Sequence, residues 1–126
     1  MSVVEGLYRP PTEQEISEAL RCFAETVRRE YGARLKGLYL FGSRARRDHH
    51  DESDADVAVV IEDGDWRFWD EKMRLVDLGH DMLVDFGLYI QPWPFAASAW
   101  TSPEGAPRQH LIEAAKRDAR PLETVT

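Results

Sequence analysis

The residues with the clearest chemical potential fall between Gly42 and Asp56. Gly42-Ser43 is followed by Arg44, Arg46 and Arg47, and ten residues separate Ser43 from Asp54, the first acid of Asp54-Ala55-Asp56. A glycine after a strand lets the backbone bend and a ligand approach the main chain. The free N–H groups of the next turn, the Ser43 hydroxyl and the local helix dipole all favour an anion. Guanidinium forks suit phosphate oxygens, and Arg44 is the arginine expected there. Arg46 and Arg47 are equally consistent with solvated side chains or with pairs to Asp48 and Asp51.

Two aspartates two apart on a strand project from one face and repel unless a cation or proton sits between them. Oxygen-only ligands suit magnesium, which keeps waters and substrate phosphates in its shell. A second ion needs a third carboxylate, and Asp85 is the candidate. It lies in the apolar run 82–90, and the 28 residues between Asp56 and Asp85 accommodate one crossover helix. Two ions could clamp the attacking and leaving oxygens of an in-line displacement. His49 and His50 read as solvated loop residues, since magnesium does not prefer imidazole.

The elements that must position these groups follow from periodicity. Thr12 and Glu15 are spaced as a capping box, and Ile16, Leu20, Phe23, Val27 and Tyr31 form the buried stripe of a helix ended by Gly32. Residues 35–41 and 55–61 read as strands, with a short helix over about 43–48. Trp66, Trp69, Met73, Val76 and Leu83 predict the buried face of a second long helix to about Met82. Residues 83–90 read as a third strand, the proline-bearing stretch 91–103 as a loop or irregular edge, and 107–117 as a third helix. Trp93, Pro94, Phe95 and Trp100 fit either a packed edge or an exposed partner surface. The order predicts an α/β domain, a small mixed central sheet with flanking helices. It spans 12–126 behind an N-terminal arm, 1–11.

Composition bounds the rest. With 126 residues the chain fits one domain, with no room for a second, substrate-binding one. A formal net charge of −7 disfavours broad nucleic-acid binding and makes the local arginine cluster more informative. Cys22 is the single cysteine, so it cannot form an intrachain disulfide, and it reads as a half-buried structural thiol. No signal peptide and no membrane-length apolar run are evident, which predicts a cytoplasmic protein.

The Gly-Ser, ten-residue spacing, Asp-x-Asp and later aspartate resemble the minimal nucleotidyltransferase family of the DNA polymerase β superfamily. The resemblance runs from about Leu35 through Asp85 and extends weakly to His110-Leu111-Ile112 and Asp118-Ala119-Arg120-Pro121-Leu122. It implies a polymerase β-like nucleotidyltransferase fold. It implies that Gly42 and Ser43 bind the triphosphate of ATP or another NTP, that Asp54 and Asp56 bind two magnesium ions, and that Asp85 completes the metal site and activates the acceptor hydroxyl. Relatives of this size often pair with a HEPN-domain toxin, which they can adenylylate on a tyrosine. The resemblance therefore implies an antitoxin with a HEPN-domain partner. The alternatives are an aminoglycoside-type small-molecule nucleotidyltransferase, whose extra helical domain is missing here, and a binding antitoxin without chemistry. Homo-oligomerisation is left open.

Overall fold

The computed structural model describes residues 10–49 and 54–122. The expected capping box opens the first helix, α1 (Glu13–Tyr31). The Thr12 hydroxyl accepts from the Glu15 N–H at 3.1 Å, and the Glu15 carboxylate accepts from the Thr12 N–H at 2.9 Å. A 3₁₀ turn (Gly32–Arg34) leads into β1 (Leu35–Phe41). Then follow one helical turn, α2 (Ser43–Arg46), β2 (Ala55–Ile61) and the long helix α3 (Phe68–Phe86). The chain closes with β3 (Ile90–Ala96), α4 (Ala97–Thr101), α5 (Gln109–Asp118) and the two-residue strand β4 (Arg120–Pro121).

The sheet order is β3-β2-β1-β4. β1 pairs antiparallel with β2 and with β4, whereas β2 and β3 run parallel. Parallel neighbours need a long crossover, which α3 supplies. The α/β class and the mixed sheet expected from the sequence are what the fold shows. Leu38, Val57, Val59 and Ile61 face α1 and α3, meeting Ile16, Leu20, Phe23, Val27, Leu75 and Met82 in the larger core. Phe41, Ala58 and Phe95 face the other way, against Ile112 and Ala115 of α5. No helix among the described residues is long and apolar enough to cross a membrane.

Two sequence expectations need correction. The stretch 83–90 is not a strand. α3 continues through Asp85 to Phe86, and Gly87 ends it at φ 76°, its N–H donating to the Leu83 carbonyl at 2.9 Å. That left-handed glycine is a helix terminator. The third strand is β3, in the region read as loop. Its prolines, Pro92 and Pro94, are tolerable because β3 is an edge strand, where a missing N–H need not face a neighbour.

The buried face of α3 is also the opposite of the one expected. Trp69 and Met73 are 62% and 56% exposed, and Leu83 is 39% exposed. Leu75, Gly79 and Met82 are buried instead, together with the charged residues Glu71 and Lys72. Glu71 is held by Arg34 at 3.8 Å and Arg74 at 3.7 Å. Charges on the inward face and apolar groups on the outward one invert the pattern from which helix burial is ordinarily read. The aromatic cluster of β3 and α4 is a packed edge: Trp100 stacks on Tyr39 at 5.1 Å and on Phe95 at 5.8 Å.

Candidate active site

Gly42 is where β1 turns into α2. Its φ of 75° and ψ of −157° belong to a region that side chains other than hydrogen rarely allow. The adjacent residue of β1, Phe41, lies opposite Asp56 in the β1–β2 register. The Asp56 carboxylate therefore closes directly over the bend: a Cβ on Gly42 would lie 2.5 Å from Asp56 Oδ2. The backbone of the Gly-Ser turn and the second acid of Asp-x-Asp are thus in contact, although fourteen positions separate them in sequence.

Asp54 is exposed just before β2, and Asp56 is half-buried on it. The backbone of the intervening Ala55 is fixed by its N–H donating to the Tyr89 carbonyl at 3.0 Å. Burial pushes the Asp56 carboxyl above the ordinary carboxylate range, opposed by an N–H bond from Trp93 and reinforced by the charge of Asp54, while Lys72 and Arg46 pull it back. The fold therefore brings Asp54 and Asp56 together.

It does not bring Asp85 to them. Asp85 is exposed in the last turn of α3, and no group of three metal-capable side chains forms among the described residues. In the β2–β3 register Asp56 faces Gln91, with Trp93 two residues further on, beside Ala58. The Trp93 indole N–H donates to Asp56 Oδ1 at 3.5 Å. Lys72 reaches round the sheet edge from α3. Its ammonium donates to the Pro92 carbonyl at 2.5 Å and to Gln91 Oε1 at 3.4 Å, and it stands 3.7 Å from the centre of the Trp93 ring. Burial lowers the Lys72 pKa, with Asp56 opposing the shift. Sequence reasoning did not place Gln91 and Trp93 beside Asp56 because their strand was read as a loop, and it missed Lys72 because the buried face of α3 was assigned to the apolar stripe instead. Its one available signal was alternation: Gln91, Trp93 and Phe95 share a face.

The arginines divide between the two faces of the sheet. Arg44 is buried and lines a cleft of about 490 Å³ with Leu40, Ile16, Leu20, Arg47 and Arg120. Leu40 belongs to the α1 side, whereas Asp56 shares the Phe41 side. Arg46 is the arginine whose charge acts on Asp56. Its guanidinium is fixed by Asp48 at 3.0 Å and by Asp118 of α5 at 2.8 Å. His49 is not simply solvated: it lies in the same cleft, 3.5 Å from Glu13. His50 and Asp51 lie outside the described residues.

The family model for the polymerase beta nucleotidyltransferase domain matches residues 26–89 of this sequence. The chain belongs to this family. It is 32% identical over 73 residues to the inferred protein adenylyltransferase MJ0604 of Methanocaldococcus jannaschii, covering 58% of this chain and 66% of that one. It is also 32% identical over 66 residues to a second inferred protein adenylyltransferase of that organism, MJ1379, covering 52% and 64%. The chain thus spans just under two thirds of the curated relatives it matches. Among solved structures, a toxin–antitoxin crystallised with AMP-PNP superposes with a TM-score of 0.54 at 18% identity, over 91% of this chain and 75% of that one. That likeness is one of fold.

Asp54 and Asp56 are the residues that could hold a divalent ion here. Asp54 and Asp56 offer oxygen donors from one face, and the raised Asp56 pKa reflects a buried carboxylate beside a like charge, which a cation would relieve. Magnesium accepts such partial protein coordination, its remaining ligands being phosphate oxygens and water. The three-carboxylate cage expected for two ions is not assembled.

Proposed function

We propose that this chain is a nucleotidyltransferase that moves AMP from ATP to a hydroxyl group of a partner protein, using one magnesium ion held by Asp54 and Asp56. The observation that carries the reading is the contact between the Asp56 carboxylate and the Gly42 bend, in a member of the polymerase beta nucleotidyltransferase family. In this reading Gly42 and Ser43 receive the triphosphate. Arg46 replaces Arg44 as the phosphate-facing arginine, because its charge acts on Asp56. A magnesium ion bound there would neutralise charge developing on the phosphates. The acceptor oxygen bonds to the α-phosphorus, the bond from that phosphorus to the bridging oxygen of the β-phosphate breaks, and pyrophosphate leaves. The hydroxyl proton is lost to solvent at the exposed Asp54 side. Asp56, fixed by Trp93, keeps its orientation throughout.

The names of the two Methanocaldococcus relatives support a protein as acceptor. The toxin–antitoxin fold neighbour supports an antitoxin role, and the family resemblance makes a tyrosine of a HEPN toxin the proposed acceptor. One observation favours a second reading, a binding antitoxin without chemistry: among the described residues no third carboxylate joins Asp54 and Asp56 in a metal-holding group.

The test combines the chain, a HEPN partner, magnesium and ATP labelled on the α-phosphate. Transfer of label to the partner, lost in Asp54→Asn/Asp56→Asn, supports the enzyme. Neutralisation of the partner by that double variant at wild-type strength, with no label transferred by either protein, selects pure binding.

A further inference from the structure

The outward face of α3 carries a largely apolar seam that no other described residue buries. Trp69, Met73, Val76, His80 and Leu83 are spaced four, three, four and three residues apart, the heptad step by which one helix docks on another. Trp69, Met73 and Leu83 are exposed, as are the neighbouring Val84 and Tyr89, at 68% and 43%. Val76, His80, Leu83 and Tyr89 line a dimple of about 40 Å³, the size of a knob rather than a ligand. Leu75, Gly79 and Met82 form the face that packs on the core, and Gly79 also lines the dimple where the two faces meet.

Charge is distributed on one side only. Asp70, Asp77, Asp81 and Asp85 form an exposed row along one flank of the seam, following helical geometry. The single cation in that row, Arg74, is paired with Glu30 at 3.6 Å and Glu71 at 3.7 Å. At the N-terminal end of the seam Arg108 sits 3.5 Å over the Phe68 ring and 5.8 Å from Trp69. A second copy is a poor occupant. Two-fold antiparallel pairing would set the acidic row against its own image, and a net charge of −7 opposes self-association further.

We infer that this face of α3 docks an amphipathic helix from a different protein, with an apolar seam and a lysine- or arginine-rich flank lying along Asp70, Asp77, Asp81 and Asp85. Charge complementarity selects the partner and its orientation, while the seam supplies the buried area. The inference does not rest on nucleotide transfer, and it gives Asp85 a place in recognition.

The full chain is titrated into fluorescently labelled synthetic helices of about 20 residues that share a leucine heptad seam. One has lysines on its flanks and the other glutamates. The lysine helix is expected to bind at least tenfold more tightly than the glutamate helix. Met73→Glu/Leu83→Glu should weaken its binding at least tenfold, and Asp77→Lys/Asp81→Lys should reverse the preference. Unchanged thermal melts establish that the exposed substitutions leave the fold intact. Absence of binding to the lysine helix, equal binding of both helices, or indifference to both double variants overturns the inference. So does a wild-type dimer in sedimentation that Met73→Glu/Leu83→Glu converts to monomers, since the seam then belongs to a second copy.

Discussion

The Asp56 carboxylate stands where the β-carbon of any residue but glycine at position 42 would have to be: that carbon would lie 2.5 Å from Oδ2. Gly42→Ala therefore either displaces Asp56 or opens the turn, and its φ of 75° adds backbone strain of roughly 1–3 kcal/mol. We expect nucleotide transfer to fall by about two orders of magnitude, equivalent to about 3 kcal/mol in the barrier. Melting temperature should fall modestly. Ser43→Gly, which lacks the clash, should retain the fold and lose less activity. Transfer rates and thermal melts of both variants check this. A fully active Gly42→Ala enzyme would remove the contact from the mechanism.

Gln91 occupies the β3 position beside Asp56, where a third carboxylate would complete an acidic site. Gln91→Asp should supply it. A third oxygen ligand is expected to lower the magnesium concentration for half-maximal transfer several-fold and to raise the rate about tenfold, near 1.4 kcal/mol. Trp93→Phe acts in the other direction. It keeps an aromatic ring for the Lys72 ammonium but removes the N–H bonded to Asp56. A loss of about fivefold is expected, near the 1 kcal/mol of an ordinary hydrogen bond. Magnesium titrations of the two variants measure both effects, and a slower Gln91→Asp enzyme would exclude a direct role for that position.

The inverted burial of α3 has a sharp consequence for stability. Leu75 is fully buried, so Leu75→Ala should cost roughly 2–5 kcal/mol. Met73, 56% exposed, should tolerate alanine within about 0.5 kcal/mol. Chemical denaturation of the two variants distinguishes the faces. Equal losses would restore the arrangement that the apolar periodicity alone suggests.

How far the residues announced their own arrangement depends on which signals were local. The capping box of Thr12 and Glu15, the stripe from Ile16 to Tyr31, both β1 and β2, and the glycine bend each follow from short-range chemistry, and all are found where periodicity places them. The helix α3 is harder. Its inward face carries Glu71 and Lys72. Arg74, one turn on, is a local partner of Glu71, but Arg34 and the Pro92 carbonyl come from elsewhere in the chain. No local pattern encodes those two distant partners. Leucine, valine and phenylalanine around Asp85 suit a strand by composition, yet Gly87 ends a helix there, moving Asp85 off the sheet. Once that boundary shifts, the third member of the acidic site shifts with it. The proline-bearing β3 was hidden for a related reason: proline argues against a strand in general but not against an edge.

Asp63 offers a test of how the α4 corner is held. Its carboxylate accepts the Ser98 hydroxyl and, at 2.9 Å, the Ser98 N–H, tying the turn after β2 to the first turn of α4. These bonds favour the ionised form and hold the Asp63 pKa below its ordinary value, with the Ser98 side chain as the largest cause. A carboxyl whose pKa is depressed by folding stabilises the fold fully above its unfolded pKa, near 3.9, and loses that contribution as the pH falls through the folded value. Unfolded chains bind the proton first, so acid favours unfolding. Asp63→Asn keeps an acceptor but cannot titrate. At neutral pH it should melt slightly below the wild type, and as the pH falls below about 5 the gap should narrow, because only the wild type has this contribution to lose. Thermal melts of both proteins across that range measure the difference. A gap that stays constant down to pH 3 would mean that the Ser98 contacts do not depend on the Asp63 charge.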